Sequence, residues 1–362
     1  MKPDSDEAIA AAVLDPPLRT AAVPGVGGIL RAQPEDFDVE EIPAYPADGR
    51  GNAHLLVPLR KRLLATEDAV REVARQLGLS RGEIGVAGKK DRDAVTRQWI
   101  SVPASATDRL GGVEHESFTL GAGLAHGNKL KIGHLRGNRF VLAVRGLAAV
   151  DDPVASAQAA FDAIDQDGGL LNVYGGQRFG RGAADVDRGL AEVRKGRGGR
   201  RGNMVVAAGQ AALFNLYVAE RAHRGLLHTV IDGDLLRKTN SGGLFWSSDA
   251  AEDQPRFDAG EIELTGPIYG SRMRAPPADS SAAALELAVL ERANVDPTAL
   301  KKLGRAALGT RRALRAQVTD VRVGLAPAIP ESELACGLQL HFTLPSGSYA
   351  TLVAREIMLP IT

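Results

Sequence analysis

The sequence predicts an α+β protein whose mixed core of strands and helices is drawn from both ends of the chain and interrupted by a helix-rich insertion. Alternating apolar residues mark strands on both sides of a central stretch: Phe140, Leu142 and Val144 before it, Leu338, Leu340 and Phe342 after it. At Gly169 the texture turns glycine- and arginine-rich and then helical, and strand alternation returns only from Val318. A length of 362 residues suffices for two domains, or for one core with a large insertion.

In chain order, residues 1–23 read as an irregular start, because Pro3, Pro16, Pro17 and Pro24 break any regular element. Ile29 to Ile42 reads as strand, a turn at Pro34-Glu35-Asp36, and a second strand through Phe37 and Val39. His54 to Leu59 is a further short apolar run. Thr66 is expected to cap a helix: Glu67 and Asp68 suit its N-terminal dipole, and Val70, Val73, Ala74 and Leu77 recur at helical spacing before Gly78. Ile84 to Val102 is expected as loop and strand, and Gly137 to Arg145 as strand. Asp152, Pro153 and Gly168 read as the cap, first turn and stop of a helix. Gly175 to Arg201 is expected to be a glycine- and arginine-rich loop, followed by helices near Ala207–Arg221, Ser281–Arg292 and Ala299–Arg315. A helix over Ser348–Met358, with Tyr349, Leu352, Val353 and Ile357 on one side, follows the last strands.

Composition narrows the function. Hydrophobic residues at 44% and charged residues at 24% are globular values. Lys+Arg and Asp+Glu both count 44, so bulk positive charge does not hold this chain to nucleic acid, although a local basic patch still can. A single cysteine, Cys336, excludes an internal disulfide framework and a multi-cysteine zinc site. The first 20 residues do not read as a signal peptide, and no run approaches the roughly 20 apolar residues of a membrane helix. The expectation is a soluble, cytoplasmic protein that does not engage membranes.

Gly85-Val86-Ala87-Gly88-Lys89-Lys90-Asp91 invites a phosphate-loop reading and fails it, since Lys90 stands where Ser or Thr is needed and Glu83 where glycine is. Pro24 to Gly28 lacks the strand-to-helix context of a dinucleotide fingerprint. The seven histidines form no metal-ligand spacing, and no glycine-flanked serine elbow occurs. What remains for chemistry is Asp91, set among Lys89, Lys90 and Arg92, cations that favour an ionised carboxylate suited to act as nucleophile or base. A solvated charged turn is the plain alternative for these four residues alone. Arg194, Lys195, Arg197, Arg200 and Arg201 put five cations in eight residues, with Arg178, Arg181 and Arg188 upstream. Such a loop follows a phosphate backbone or is simply solvated, and composition alone favours neither.

The run Arg31-Ala32-Gln33-Pro34-Glu35-Asp36-Phe37-Asp38-Val39-Glu40-Glu41 resembles the N-terminal motif of the tRNA pseudouridine synthase D (TruD) family. Gly88-Lys89-Lys90-Asp91-Arg92-Asp93-Ala94-Val95-Thr96-Arg97-Gln98 is similar to its signature, and His54, Lys61 and Thr66 keep its spacing. Gly137-Asn138-Arg139-Phe140, Asn172 to Gly180, and Leu344 to Thr351 with Arg355-Glu356 resemble further blocks; Ala212 to Asn215, Gly266 to Gly270 and Arg311-Arg312 are weaker matches. The blocks occur in order from residue 31 to 356.

The resemblance implies a pseudouridine synthase catalytic domain, a mixed or antiparallel sheet with flanking helices, from residues 1–168 and 315–362. It implies an inserted, RNA-contacting α/β domain at 169–314. It also implies isomerisation of uridine to pseudouridine in tRNA, at position 13 of the D arm, by a monomer without cofactor or metal. Asp91 is then the catalytic residue, attacking C1′ or removing the 2′ proton. Arg31, where the family usually has Lys, pairs with it; Phe37, Asn138, Phe140 and Tyr349 support the flipped base. Lys89, Lys90, Arg178, Arg181, Arg194, Lys195, Arg197, Arg200 and Arg201 are the expected RNA contacts. Val173, Tyr174 and Gly176 depart from the family pattern at the insertion boundary. The alternative is a non-catalytic RNA-binding or chaperone relative, against which the presence of Asp91, Thr96 and Gln98 counts. A glycosidase lacks an acid partner for Asp91, and 4% aromatic residues offer no sugar platform.

Overall fold

A computed structural model describes residues 4–359 apart from 46, 48, 149, 181, 197–202, 330–333, 335 and 336. The chain forms two compact units: Met1–Leu18 with Gly169–Ala316, and Arg19–Gly168 with Gln317–Thr362. The first 18 residues therefore join the inserted stretch, where the catalytic domain was expected to hold them. They also contain a helix, α1 (Asp6–Leu14), that fits between Pro3 and Pro16. Ser5 caps it by accepting from the Ala8 N–H, and Ile9, Ala10 and Val13 are buried.

The second unit begins with strands β1 (Ile29–Leu30), β2 (Phe37–Pro43) and β3 (His54–Arg62), helix α2 (Thr66–Gln76), then β4 (Gly85–Val86) and β5 (Val95–Pro103). Strands β6 (Phe118–Leu120), β7 (Leu124–His126) and β8 (Leu135–Arg145) and helix α3 (Pro153–Gln166) follow. Ala65, not Thr66, occupies the N-cap of α2, because the Thr66 hydroxyl is engaged elsewhere, as described below. α3 is capped as expected, with Asp152 accepting from the Ala155 N–H and Pro153 in the first turn.

The other unit contains β9 (Leu170–Leu171), α4 (Ala183–Lys195), α5 (Asn203–His223), β10 (Leu235–Lys238), β11 (Leu244–Trp246) and α6 (Ala250–Asp258). It continues through β12 (Ile262–Ile268), α7 (Ser281–Arg292), α8 (Pro297–Lys302), β13 (Thr310–Ala313) and β14 (Arg315–Ala316). Helix α4 lies where a loop was expected; Val186, Gly189, Leu190 and Val193 form its buried stripe. Gly189 packs so closely on Gly209 of α5 that a Cβ there would stand 2.5 Å from the Gly209 nitrogen, which explains the small residue. α1 packs on both helices, and Asn215 of α5 donates to the Val13 carbonyl at 2.9 Å. Ala299–Arg315, expected as helix, is helical only through Lys302 and a short turn; its end supplies β13, an edge partner of β12.

The chain returns to the second unit with β15 (Thr319–Leu325), β16 (Gly337–Pro345) and α9 (Ala350–Met358). Its sheet runs β15–β16–β8–β2–β5–β3–β6, with β1 on β8, β4 on β5 and β7 on β3. Among the described residues only the β2–β5 pairing is parallel. Pairing register sets one cross-sheet row from Phe118 through Lys61, Thr96, Val39 and Phe140 to Phe342. α2 buries Ala69, Val70, Val73 and Ala74 with Val57, Leu59, Ile100 and Val102, while Phe161 of α3 lies 5.9 Å from Phe342. Glu356 of α9, 3% exposed, accepts from the Arg19 and Thr20 N–H groups and the Thr20 hydroxyl, which ties the start of this unit to its last helix.

Candidate active site

β1 and β2 lie in line on the same edge of β8: Leu30 pairs with Val144 and Phe37 with Leu142. The six residues between them leave the strand line, and Arg31 opens this break in left-handed backbone at φ +66°. A non-glycine residue held there marks a position that its surroundings constrain. The break aims Arg31 at the loop between β4 and β5. Its Nη2 donates to Asp91 Oδ2 at 2.7 Å, and its guanidinium carbon lies 3.9 Å from the centre of the Phe37 ring. The Asp91 side chain is 44% exposed, so its carboxylate is both held and reachable.

The loop that carries Asp91 is fastened at successive residues. Gln98 donates to the Gly88 carbonyl at 3.5 Å. The Thr66 hydroxyl accepts from the Lys90 N–H at 2.9 Å and donates to Gln98 Oε1 at 2.8 Å. Lys61 Nζ donates to the Asp91 carbonyl at 2.7 Å. Lys61 is 1% exposed, and burial pushes its ammonium pKa down to about 8, against the pull of Asp91 and with the push of Lys90. A Cβ on Gly88 would stand 3.3 Å from Lys90 Nζ and 3.4 Å from Leu135 Cδ2, so a larger residue there would press on the ends of both side chains.

Arg31, Phe37 and Asp91 thus meet. Phe140 joins behind them, edge-on to Phe37 at 6.3 Å and stacked on Phe342 at 5.4 Å; at 6% exposure it is a core ring that backs Phe37. Asn138, two residues before it on β8, stands between Glu41 and Leu344; its Oδ1 is buried and has no hydrogen-bond partner among the described residues. Tyr349 is half-buried at the residue before α9. An open cleft of about 510 Å³ is lined by Leu30, which precedes Arg31, and by Thr351 and Arg355 on α9.

The expected RNA contacts separate. Lys89 is exposed. Lys90 is not: its side chain is 6% exposed and pairs at 2.9 Å with fully buried Glu41, a correction that follows from the loop folding Lys90 inward. Arg194 donates to the Ala293 carbonyl at 2.9 Å and to Asp6 at 2.7 Å, so it ties α1 and α7 to α4. Lys195 is exposed and pairs with Glu192, and Arg178 is exposed near the Tyr174 ring. Arg181, Arg197, Arg200 and Arg201 lie outside the described residues.

From the sequence Lys61 stands out only as a spacing match, and Thr66 as a spacing match and an expected helix cap, although a lysine just after an apolar strand run was a usable signal. The weaker sequence blocks converge in the inserted unit. Arg312 donates to the Asn172 carbonyl at 2.8 Å and lies 4.4 Å from the Tyr174 ring centre, while Asn215 holds both backbone groups of Tyr174. Among the described residues no helix is long and apolar enough to cross a membrane, and no group of three or more His, Cys, Asp or Glu could hold a metal ion.

Comparison with known proteins gives a consistent set. The family profile described as tRNA pseudouridine synthase D (TruD) matches residues 14–185 and 200–357. The tRNA pseudouridine synthase D of Anaeromyxobacter sp. (strain Fw109-5) is 41% identical over 353 residues, which cover 95% of this chain and 96% of that one. That of Thermus thermophilus is 38% identical over 348 residues, with 94% and 92% covered. A crystal structure described as a tRNA pseudouridine synthase D (TruD) from Methanosarcina mazei aligns over 96% of each chain with a TM-score of 0.74 at 22% identity, a likeness of fold.

Proposed function

The chain belongs to the tRNA pseudouridine synthase D (TruD) family, and from that premise we propose that it isomerises uridine to pseudouridine in tRNA, at position 13 of the D arm, with Asp91 as the catalytic residue. The observation that supports this reading most directly is a half-exposed carboxylate held at both ends, by Arg31 at its side chain and by Lys61 at its carbonyl, beside the Phe37 ring.

The reaction breaks the bond from N1 of uracil to C1′ and forms one from C5 to C1′; the C5 proton leaves and N1 ends protonated. An ionised Asp91 either attacks C1′, giving a glycosyl ester that C5 displaces, or removes the 2′ proton, giving a glycal to which C5 adds at C1′ as Asp91 returns the proton to C2′. Both routes need the base out of its stack and an anion at the sugar. Arg31 holds the anion in place, Asn138 and Tyr349 supply a polar group and a face for the base, and Phe37, 3% exposed beneath the Arg31 guanidinium, steadies that guanidinium. Holding the reactants in a near-attack geometry is what a pinned loop contributes.

The test is pseudouridine mapping on unmodified tRNA transcripts incubated with the protein and with Asp91→Ala. Pseudouridine at one D-arm position with the unaltered protein alone supports the reading. RNA binding by both proteins without modification replaces it with a non-catalytic RNA-binding one.

A further inference from the structure

Lys61 poses a question of cost. Lysine is a compact, strongly hydrated cation, and placing one in a sheet interior is unfavourable unless something is gained. Here it stands at 1% exposure in the row of Phe118, Thr96, Val39 and Phe140. Its hydrogen bond goes to a neutral group, the backbone carbonyl of Asp91, while Arg31 takes the carboxylate. A methionine of similar length would pack against Phe118 and the α2 face without the desolvation. Stability alone therefore argues against a lysine at this position.

Resting on the reading of Asp91 as the catalytic residue, we propose that Lys61 is a positioning residue: its ammonium pins the Asp91 backbone, setting where the carboxylate meets the sugar. Thr66 and Gln98 fasten the loop at Lys90 and Gly88, upstream of Asp91; Lys61 fastens Asp91 itself. A neutral amine still donates a hydrogen bond, but a weaker one, and it loses its attraction to the Asp91 charge.

The pin is therefore sensitive to pH. The groups that face Lys61 are few. The loop contributes Asp91, which favours the ammonium, and Lys90, which opposes it and is itself balanced by Glu41. From β5, β6 and α2 come neutral Thr96, Phe118 and Thr66, and Arg31 acts only through Asp91. With its pKa pushed down to about 8, Lys61 holds its charge at neutral pH and sheds it in mildly alkaline solution.

Single-turnover pseudouridylation of an unmodified tRNA transcript, with enzyme in excess, tests this between about pH 6 and about pH 9 for the unaltered protein, Lys61→Met and Lys61→Arg. The unaltered protein is expected to slow above about pH 8, whereas Lys61→Met is expected to be about 10²-fold slower at pH 7 and to lack that alkaline limb. Lys61→Met should bind tRNA within about twofold of the unaltered protein and melt no lower at pH 7, since it drops a desolvated charge. A folded Lys61→Met with near-normal rate, or with the alkaline limb intact, overturns the proposal. If Lys61→Met does not fold, the proposal falls should the unaltered protein show no alkaline limb or Lys61→Arg, cationic throughout, retain one. An unaltered protein that makes no pseudouridine at any pH refutes the Asp91 reading itself, a different result from either.

Discussion

Arg31 reaches Asp91 from a backbone conformation that L-residues avoid: its Nη2 is 2.7 Å from Asp91 Oδ2 while its φ is +66°. The left-handed region costs about 1–2 kcal/mol for such a residue, so the fold gives up stability to bring this guanidinium to that carboxylate. Arg31→Gln should lower the single-turnover rate by about 10²–10³-fold, as loss of a preorganised donor does. Arg31→Lys, which restores charge without the planar fork, should recover part of it. A rate unchanged in Arg31→Gln would reduce the pair to a structural contact.

Adjacent lysines should behave oppositely. Lys90→Ala strands Glu41 as an unpaired buried carboxylate and is expected to cost about 3–5 kcal/mol in urea unfolding. Lys89→Ala touches an exposed side chain, so stability should stay within about 0.5 kcal/mol. If Lys89 contacts a phosphate, its loss should reduce the salt slope of tRNA binding by about 0.7–0.9. Equal effects of the two variants would contradict the inward folding of Lys90.

Phe140 is enclosed by Phe37 and Phe342. Phe140→Ala is expected to cost about 3–5 kcal/mol by opening a cavity, and Phe140→Leu less than about 1.5 kcal/mol. Measured at a temperature where both are folded, Phe140→Leu should keep tRNA affinity while Tyr349→Leu, at a half-buried ring, should weaken it.

Arg194 should matter for the fold rather than for RNA. It holds Asp6 below the usual carboxylate range, chiefly through their hydrogen bond. Because that pKa is depressed in the folded protein, the contribution is present above about pH 4 and fades as pH falls below it. Arg194→Ala should remove that acid-sensitive part of the melting curve and leave the salt slope of tRNA binding unchanged. A lowered salt slope would restore Arg194 to the RNA-binding surface.

Elements with a clean period were legible: Phe140, Leu142 and Val144 alternate, and Val70, Val73, Ala74 and Leu77 step along one helical face. α4 was not, because its stripe includes Gly189 and is flanked by arginines and glycines that read as loop. α1 was hidden by prolines that bound the helix without entering it. Ala299–Arg315 misled in the other direction, since helix-forming residues there are drawn into β13 by pairing with Thr265 to Ile268, a tertiary effect with no local signal. At the site, Asp91, Arg31 and Phe37 were legible from motif order. The inward turn of Lys90 was not, because it depends on Glu41 waiting beneath the loop.

β8 lies between β2 and β16, and the whole inserted stretch separates β8 from β16 along the chain. During synthesis, Asp91, Arg31 and Phe37 emerge long before Phe342 and Tyr349. The edge of β8 that carries Leu142 and Val144 stays open until the residues of β16 arrive. Loop closure over such a span comes late, and an unpaired apolar edge invites association meanwhile. Rapid local folding of α4, α5 and α7 would shorten that exposure by drawing the ends of the insertion, β9 and β14, together. A nascent chain then carries Asp91 for most of its synthesis without the strand that completes the sheet beside β8.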